Sequence, residues 1–301
     1  MNKFIISTDS CVDLYKSYLN DNNVYCITMR RVLNGKEISE HFDSDAEFDK
    51  FYDTLKDGAQ PTTVALNPFE LEEHFEEVLK KEKTGDVIHV CLSSGLSVTY
   101  VNALKAAETV NAKVKGRKVH VVDSLIATYG MAQLVDRLIG FRNQGLSTEE
   151  AIKKITYIRD HSQAWIIMSD LFHLKRGGRI SGVKATIGTI LNIKPVVIVN
   201  QKGKLAIENR MRGHQNAINY ALSKMEEFGE KFNPEFATST VYVVRTSNSK
   251  QYEDFKTAVK AKYPNINMVT GAIGPIIGTH LGLGGMGVLF EGARRLDVND
   301  K

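Results

Sequence analysis

The sequence predicts an α/β protein of two domains, the first with a mostly parallel sheet and flanking helices, the second with a mixed sheet and helices. Two observations support this prediction. Up to about residue 163, short apolar runs alternate with amphipathic helical segments, the pattern of right-handed βαβ units. Beyond it, "VVIVNQKGKLAIENRMR" predicts two strands around a Lys202-Gly203 turn, and a hairpin among helices indicates a mixed sheet. We therefore place the domains at residues 1–163 and 164–301.

The elements of the first domain follow from apolar spacing and capping residues. "KFIIST" reads as a buried strand, and the segment 9–23 as a helix capped by Asp9 or Ser10. "VYCITMRRVLNGKEI" predicts strands around an Asn34-Gly35 hairpin turn. Strands "DVIHVCLS" and "KVHVVDS" alternate with further helices. Helix boundaries are indicated by Gly58 as a stop, Asn67 as a cap and a capping box from Ser147 to Glu150.

The second domain is predicted from shorter signals. The segments "AWIIMSD", "TVYVVRTS", "INMVTGAI" and "GMGVLFEG" read as strands. The helices are expected at "VKATIGTILN", "HQNAINYALSKMEEFGEKF" and "SKQYEDFKTAVKAKY".

Composition narrows the function. The chain of 301 residues has a net charge of only +4, without a lysine–arginine block, so a nucleic-acid partner is not expected. The three cysteines are far apart and show no metal-ligand spacing, which fits a reducing compartment. No signal peptide is predicted, because acidic residues follow the first apolar run closely, and no membrane span is predicted, because no window holds about eighteen apolar residues. We expect a cytoplasmic protein without a metal.

The stretch "HVCLSSGLSVTY" (89–100) is the first candidate site. A strand, a small polar turn and a helix place Ser93, Ser94, Gly95 and Ser97 at the carboxyl end of a sheet, a geometry that suits a phosphate or a carboxylate. Helix capping by the serines explains the stretch equally well. A nucleophilic serine is disfavoured because the glycine two residues before it, as in G-x-S-x-G, is missing.

Two glycine-containing stretches are further candidates. "HLKRGGRISG" (173–182) places Arg176 and Arg179 around two glycines, where a loop can approach an anion closely. "GAIGPIIGTHLGLGGMG" (271–287) surrounds Thr279 and His280 with glycines, which favours a backbone pressed against a ligand and an imidazole that donates a hydrogen bond or carries a proton. No P-loop is present.

Other charged residues have simpler explanations. Arg210 and Arg212 share one face of a strand and, taken alone, indicate a charged sheet face. Asp9, Asp13 and Asp123 lie at strand–helix junctions, where capping is the preferred interpretation.

Seven stretches in order together resemble the DegV family of bacterial fatty-acid-binding proteins, including the FakB-type members that serve fatty acid kinase. They run nearly from end to end of the chain: "STDSCVDL", "AQPTT", "SSGLSVTYVNA", "VVDS", "LKRGGRIS", "LNIKPVV" and "GTHLGLGGMG".

The resemblance implies a function. One long-chain fatty acid such as palmitate would lie with its acyl chain in an apolar tunnel of the N-terminal domain and its carboxylate near the domain interface. Each buried methylene would contribute about 0.8 kcal/mol. The chain itself would be no enzyme and need no cofactor. A partner fatty acid kinase would use ATP to form an acyl phosphate, and transient contact with a membrane surface is a further expectation.

The resemblance also implies the site residues. Ser94, with Ser93 beside it, would hold the carboxylate, and His280 and the arginines of "KRGGR" would surround the head group. The full expected set is Ser93, Ser94, Gly95, Ser97, Thr62, Thr63, Arg176, Arg179, Arg212, Thr279 and His280. The sequence departs from the family pattern in two places. Gly58-Ala59 stand where Thr-Ser is usual, with Thr62 or Thr63 as substitutes, and Leu283 stands where proline is common.

Two other functions stay open on the residues alone. One is a phosphotransferase or hydrolase that uses Ser94 and His280. The other is a binding protein for a different small anion, in which the acyl tunnel is closed.

Overall fold

The computed structural model describes residues 4–39, 42–180 and 192–298. The chain forms two compact units. Unit 1 consists of Met1–Asp43 and Thr63–Arg159, and unit 2 consists of Ser44–Thr62 and Asp160–Lys301. The predicted fold class is confirmed. The division differs from the predicted boundary because the segment Ser44–Thr62 clusters with the second unit.

The described residues form strands and helices in mixed order. The strands are β1 (Ile5–Asp9), β2 (Val24–Ile27), β3 (Arg30–Leu33), β4 (Lys36–Ser39), β5 (Thr62–Val64), β6 (Val87–Cys91), β7 (Val119–Asp123), β8 (Ser162–Ile167), β9 (Ile193–Val199), β10 (Leu205–Arg212), β11 (Thr240–Arg245), β12 (Asn267–Ala272) and β13 (Met286–Glu291). The helices are α1 (Lys16–Asp21), α2 (Asp45–Lys56), α3 (Pro68–Lys81), α4 (Thr99–Lys113), α5 (Tyr129–Asn143), α6 (Thr148–His161), α7 (Phe172–Arg176), α8 (His214–Met225), α9 (Lys250–Lys262) and α10 (Pro275–Leu281).

Unit 1 is built on a parallel sheet of order β2-β1-β6-β7. Strands β1 and β6 are buried at every residue, as expected for a parallel sheet covered on both faces. The predicted caps are present: Asn67 and Glu70 form a capping box at α3, and Ser147 and Glu150 form another at α6. A small sheet of order β4-β3-β5 includes the Asn34-Gly35 hairpin.

Unit 2 is built on a mixed sheet of order β10-β9-β8-β13-β11-β12. Among the strand pairs of this sheet in the described part of the chain, β11 and β12 alone are parallel, and the predicted hairpin of β9 and β10 is confirmed. The core packs aromatic residues against this sheet, with Trp165, Phe236, Phe255 and Phe290 fully buried.

Helix α2 packs within unit 2 through specific polar contacts. The two terminal guanidinium nitrogens of the buried Arg245 on β11, Nη1 and Nη2, donate to the two carboxylate oxygens of Asp49, at 2.5 and 3.0 Å. The Tyr52 hydroxyl donates to the Ile273 carbonyl at 2.6 Å. These partners are almost two hundred residues or more apart in sequence, which explains why local patterns place α2 in the first domain.

The C-terminal cap of α2 explains why a glycine stands at position 58, where the family pattern differs. Gly58 has φ +89°, its N–H donates to Leu55, and the N–H of Ala59 donates to Thr54. These two bonds form a Schellman cap, which requires a left-handed residue at the position of Gly58. A threonine at this position would be strained.

Two local predictions differ from the structure, and a third lies almost entirely outside the described residues. The helix expected at 9–23 is a 3₁₀ turn at Ser10–Val12 followed by α1, because Asp13 adopts a left-handed backbone with φ 54° that interrupts it. The helices α7 and α10 are not predicted, since with five and seven residues they are too short to show a helical period. The helix expected at 183–192 lies, except for its last residue, outside the described residues.

Candidate functional site

The carboxyl edge of the parallel sheet in unit 1 gathers the predicted serines. Because β6 and β7 are parallel neighbours, the loops that follow them lie side by side at this edge. The two loops are joined by backbone hydrogen bonds from Ser93 to the Ile126 carbonyl, at 3.2 Å, and from Ser124 to the Cys91 carbonyl, at 3.1 Å.

The backbone N–H groups of the serine loop are already bonded within unit 1. The N–H of Leu92 donates to Asp9, and the N–H of Ser94 donates to Asp123. The N–H of Gly95 donates to the Ser93 hydroxyl oxygen, and those of Leu96 and Ser97 donate to the Ser93 carbonyl. The loop is therefore not a nest of free amides for an anion, and its side chains must do the binding.

The three serines of this loop differ in what their hydroxyls do. The buried Ser93 hydroxyl accepts the Gly95 N–H at 3.1 Å. The Ser97 hydroxyl oxygen accepts the Thr99 N–H at 3.2 Å and also pairs with the Thr99 hydroxyl, which caps the start of α4. Ser94 is exposed, and no partner for its hydroxyl is found among the residues that the structure describes. Of the three, Ser94 is the one free to hold a ligand.

Two buried aspartates hold this edge together. The capping interpretation is confirmed for Asp9, whose side chain caps the 3₁₀ turn at Ser10–Val12, and is wrong for Asp123, which accepts N–H groups from two loops and caps no described helix. Asp9 accepts the N–H groups of Cys11 and Leu92 at 3.0 and 2.7 Å, and burial raises its pKa. Asp123 accepts the N–H groups of Ser94 and Leu125 on one carboxylate oxygen, both at 3.0 Å.

A polar group inside unit 1 was missed by the sequence analysis. The buried Ser7 hydroxyl contacts His74 Nε2 at 2.7 Å and His89 Nδ1 at 2.9 Å. Burial lowers the pKa of His74 to about 4 and that of His89 well below its usual value, so both rings are neutral at pH 7. The signal was a serine and a histidine inside otherwise apolar strands, which β1–β6 pairing brings opposite each other.

One set of residues in the described chain has metal-ligand chemistry. Ligand atoms of Asp9, His89 and Cys91 lie within 4.8 Å of one another. Both oxygens of Asp9 already accept backbone N–H groups, and burial raises the pKa of the Cys91 thiol. Asp9 is therefore engaged within the protein, whereas His89 Nε2 is buried without a hydrogen-bond partner among the described residues.

In unit 2, the glycine-rich stretch and the "KRGGR" stretch meet. Helices α7 and α10 pack together, and a Cβ on Gly177 would overlap the His280 ring. Burial and, to a smaller extent, the neighbouring Arg179 and Arg176 lower the pKa of His280 to about 4. The imidazole is neutral at pH 7 and is suited to hydrogen bonding rather than to pairing as a cation.

The arginines beside His280 have different surroundings. Arg176 donates to the Pro61 carbonyl at 3.3 Å through Nη2, whereas its Nη1 is buried without a partner among the described residues. Arg179 donates to the Gly177 carbonyl at 2.5 Å. Arg212 is exposed at the end of edge strand β10, and within the described ranges no hydrogen bond links its side chain to this cluster.

The predicted threonines are arranged less favourably for binding. The Thr279 hydroxyl donates to the Pro275 carbonyl inside α10 at 2.8 Å, so its proton is engaged. Thr62 is exposed and Thr63 is partly buried on β5, where the boundary between the units falls between them. Their roles stay predictions.

The second departure from the family pattern has a structural counterpart. Leu283 packs against the buried side chains of Phe51, Tyr52 and Leu55 on α2. An apolar side chain in this turn thus contributes to the packing of α2 in unit 2.

A search of the described residues for membrane-spanning helices finds no helix long and apolar enough to cross a bilayer.

The chain is thus an α/β protein of two units, with the exposed Ser94 hydroxyl at the carboxyl edge of the unit 1 sheet. A family model described as "Uncharacterised protein, DegV family" matches residues 3–293, and the chain belongs to this family. A DegV domain-containing protein of Clostridium perfringens is 30% identical over 97% of this chain and 98% of its own.

Solved structures agree with this assignment. DegV of Bacillus subtilis, described as a fatty acid binding protein, is 25% identical with a TM-score of 0.80, covering 96% of this chain and 99% of its own. A DegV family protein of Eubacterium eligens loaded with heptadecanoic acid is 17% identical with a TM-score of 0.80, at the same coverages, and shows the shared fold.

Proposed function

We propose that this protein binds one long-chain fatty acid and presents its carboxyl group to a fatty acid kinase, without itself catalysing a reaction. The observation that carries the proposal is the free, exposed Ser94 hydroxyl at the carboxyl edge of the unit 1 sheet. It stands in a chain whose family includes proteins described as fatty-acid-binding.

The geometry of the serine loop favours this function over its alternatives. A small anion bound by backbone amides is disfavoured because those amides already donate to Asp9, Asp123 and Ser93. A nucleophilic serine needs an adjacent base, and among the described residues no histidine or carboxylate accepts a hydrogen bond from Ser94. A hydroxyl that only orients a carboxylate needs neither feature.

The acyl chain supplies the affinity in this proposal. Its burial contributes about 0.8 kcal/mol per methylene, so the polar contacts need only orient the head group and offset its desolvation. The neutral His280 and the nearby Arg176 and Arg179 are proposed to interact with the head group or with the phosphoryl group transferred to it.

The first experiment is native mass spectrometry of the purified protein, followed by lipid extraction and titration with palmitate. We expect a one-to-one adduct of fatty-acid mass. Ser94→Ala should weaken palmitate binding about tenfold, the value of one hydrogen bond to a charged group. The matched control, Ser249→Ala, removes a hydroxyl that caps α9 in unit 2 and should leave the affinity unchanged. A protein that neither carries nor takes up any fatty acid would contradict the proposal.

The kinase step needs a separate measurement. With ATP, palmitate and a bacterial fatty acid kinase, we expect acyl phosphate, trapped as a hydroxamate by hydroxylamine. The protein with ATP and palmitate alone should form none. Product formed without the kinase would instead support the enzyme alternative.

A further inference from the structure

Asp123 lies beside the serine loop and accepts hydrogen bonds from two loops. It ends strand β7, and only 9% of it is exposed. One of its carboxylate oxygens accepts two N–H groups at once, from Ser94 and from Leu125, each at 3.0 Å. Leu125 adopts a left-handed backbone with φ 49°, a conformation that costs energy for leucine and that this shared acceptor helps to maintain.

The bond to Ser94 fixes the residue that carries the free hydroxyl. Because the amide of Ser94 points at Asp123, the orientation of its backbone is set by a side chain on the neighbouring strand. Charge-assisted bonds of this kind are stronger than those between neutral groups. The flanking Ser93 is anchored to the same β7 loop by its bond to the Ile126 carbonyl.

We propose that Asp123 is a positioning residue for the head-group site: it holds the Ser94 backbone so that the hydroxyl faces the ligand. The ligand part of this inference rests on the proposed function, whereas the geometric part does not. Asp123 needs no contact with the ligand in this role. It needs only an oxygen acceptor at Oδ1, which asparagine also provides.

A matched control lies at the opposite edge of the same sheet. Asp86 precedes β6 and accepts the Lys118 N–H at 2.8 Å, joining the starts of β6 and β7 as Asp123 joins their ends. Replacing Asp86 with alanine should lower the free energy of unfolding by a similar amount but should leave the backbone of the serine loop unchanged.

The geometric arm of the test measures amide hydrogen exchange by NMR in Asp123→Ala, Asp123→Asn and Asp86→Ala. We expect the Ser94 amide to exchange at least tenfold faster in Asp123→Ala, to stay within about threefold of wild type in Asp123→Asn, and to be unaffected by Asp86→Ala. Unchanged Ser94 exchange in folded Asp123→Ala would overturn the inference.

The binding arm is a double-mutant cycle on palmitate affinity. Asp123→Ala should weaken binding about tenfold, Asp123→Asn less than threefold, and Asp86→Ala not at all. If Asp123 acts through Ser94, adding Asp123→Ala to Ser94→Ala should cause little further loss, since the two changes remove the same contact. Independent, multiplicative losses would mean that Asp123 acts only through general stability, and the inference would fail.

The two arms separate this inference from the proposed function. If wild-type protein binds no palmitate, the proposed function fails, yet the exchange measurement still decides whether Asp123 positions Ser94. If palmitate binds normally in Asp123→Ala, the proposed function stands and the positioning role is wrong.

Discussion

The two units form their polar sites in different ways. In unit 1, parallel strands end at one edge, and carboxylates of Asp9 and Asp123 bond the loops of that edge to each other. In unit 2, His280 approaches the turn of α7 so closely that only a residue without Cβ fits at Gly177. The first site is held by hydrogen bonds and the second by close packing. Different substitutions should therefore disrupt the two sites.

The largest effect should come from separating α2 from unit 2. Arg245→Ala leaves Asp49 and Asp45 without their buried cation, and we expect the free energy of unfolding to fall by about 3 kcal/mol. Urea unfolding measures the loss. The control Lys250→Ala breaks the exposed pair with Asp254 and should cost less than about 0.5 kcal/mol. Equal losses in both variants would contradict the assignment of α2 to unit 2.

Lowering the pH should reduce the stability of unit 1, because it protonates His74 in the Ser7–His74–His89 group. The pKa of His74 is lowered to about 4 in the folded protein, so the unfolded chain, with a pKa near 6.5, binds the proton first. Stability is complete above about pH 6.5 and is lost as the pH falls toward 4. Because His74 is partly exposed, its share should be about 2 kcal/mol rather than the full amount for its shift.

Unfolding in urea at pH 7.5 and pH 4.5 measures this dependence. His74→Gln keeps a hydrogen-bonding partner for Ser7 but cannot titrate, so its stability should change less between the two pH values. An identical pH dependence in the variant would show that the neutral imidazole of His74 is not responsible.

Replacing a glycine with alanine should have opposite effects on stability at the two positions compared next. Gly177→Ala forces a Cβ into the His280 ring, and such overpacking costs about 1–3 kcal/mol. Gly140→Ala, within α5 of unit 1, meets no atom within 4 Å and should stabilise the helix by up to about 1 kcal/mol. Thermal unfolding of both variants gives the signs directly. An unchanged unfolding temperature in Gly177→Ala would mean that α7 and α10 can move apart at little cost in free energy.

The smallest effect concerns the capping serine of the unit 1 edge. Ser97→Ala removes the hydroxyl that accepts the Thr99 N–H and should cost about 1 kcal/mol. Ser94→Ala removes no hydrogen bond within the described residues and should leave the unfolding midpoint unchanged. A larger loss of stability in Ser94→Ala than in Ser97→Ala would reverse the roles of the two serines.

Local sequence patterns are enough to predict the fold class, most of the helices and strands, and the place of the serine loop. These features depend on local patterns: the buried run of β6, the capping box of Asn67 and Glu70, and the turn between β9 and β10. The capping role of Asp9 was also readable from its place at the end of β1, whereas the bonds of Asp123 to two loops were not.

Tertiary structure alone decided which side chains are free and which are engaged. The amides of the serine loop donate to residues from other strands, so their bonding could not be inferred from "SSGLS" itself. The same holds for the packing of α2 by Arg245 and for the meeting of Ser7, His74 and His89. Each depends on residues tens to hundreds of positions apart, and contacts over such distances leave no periodic signal in one sequence.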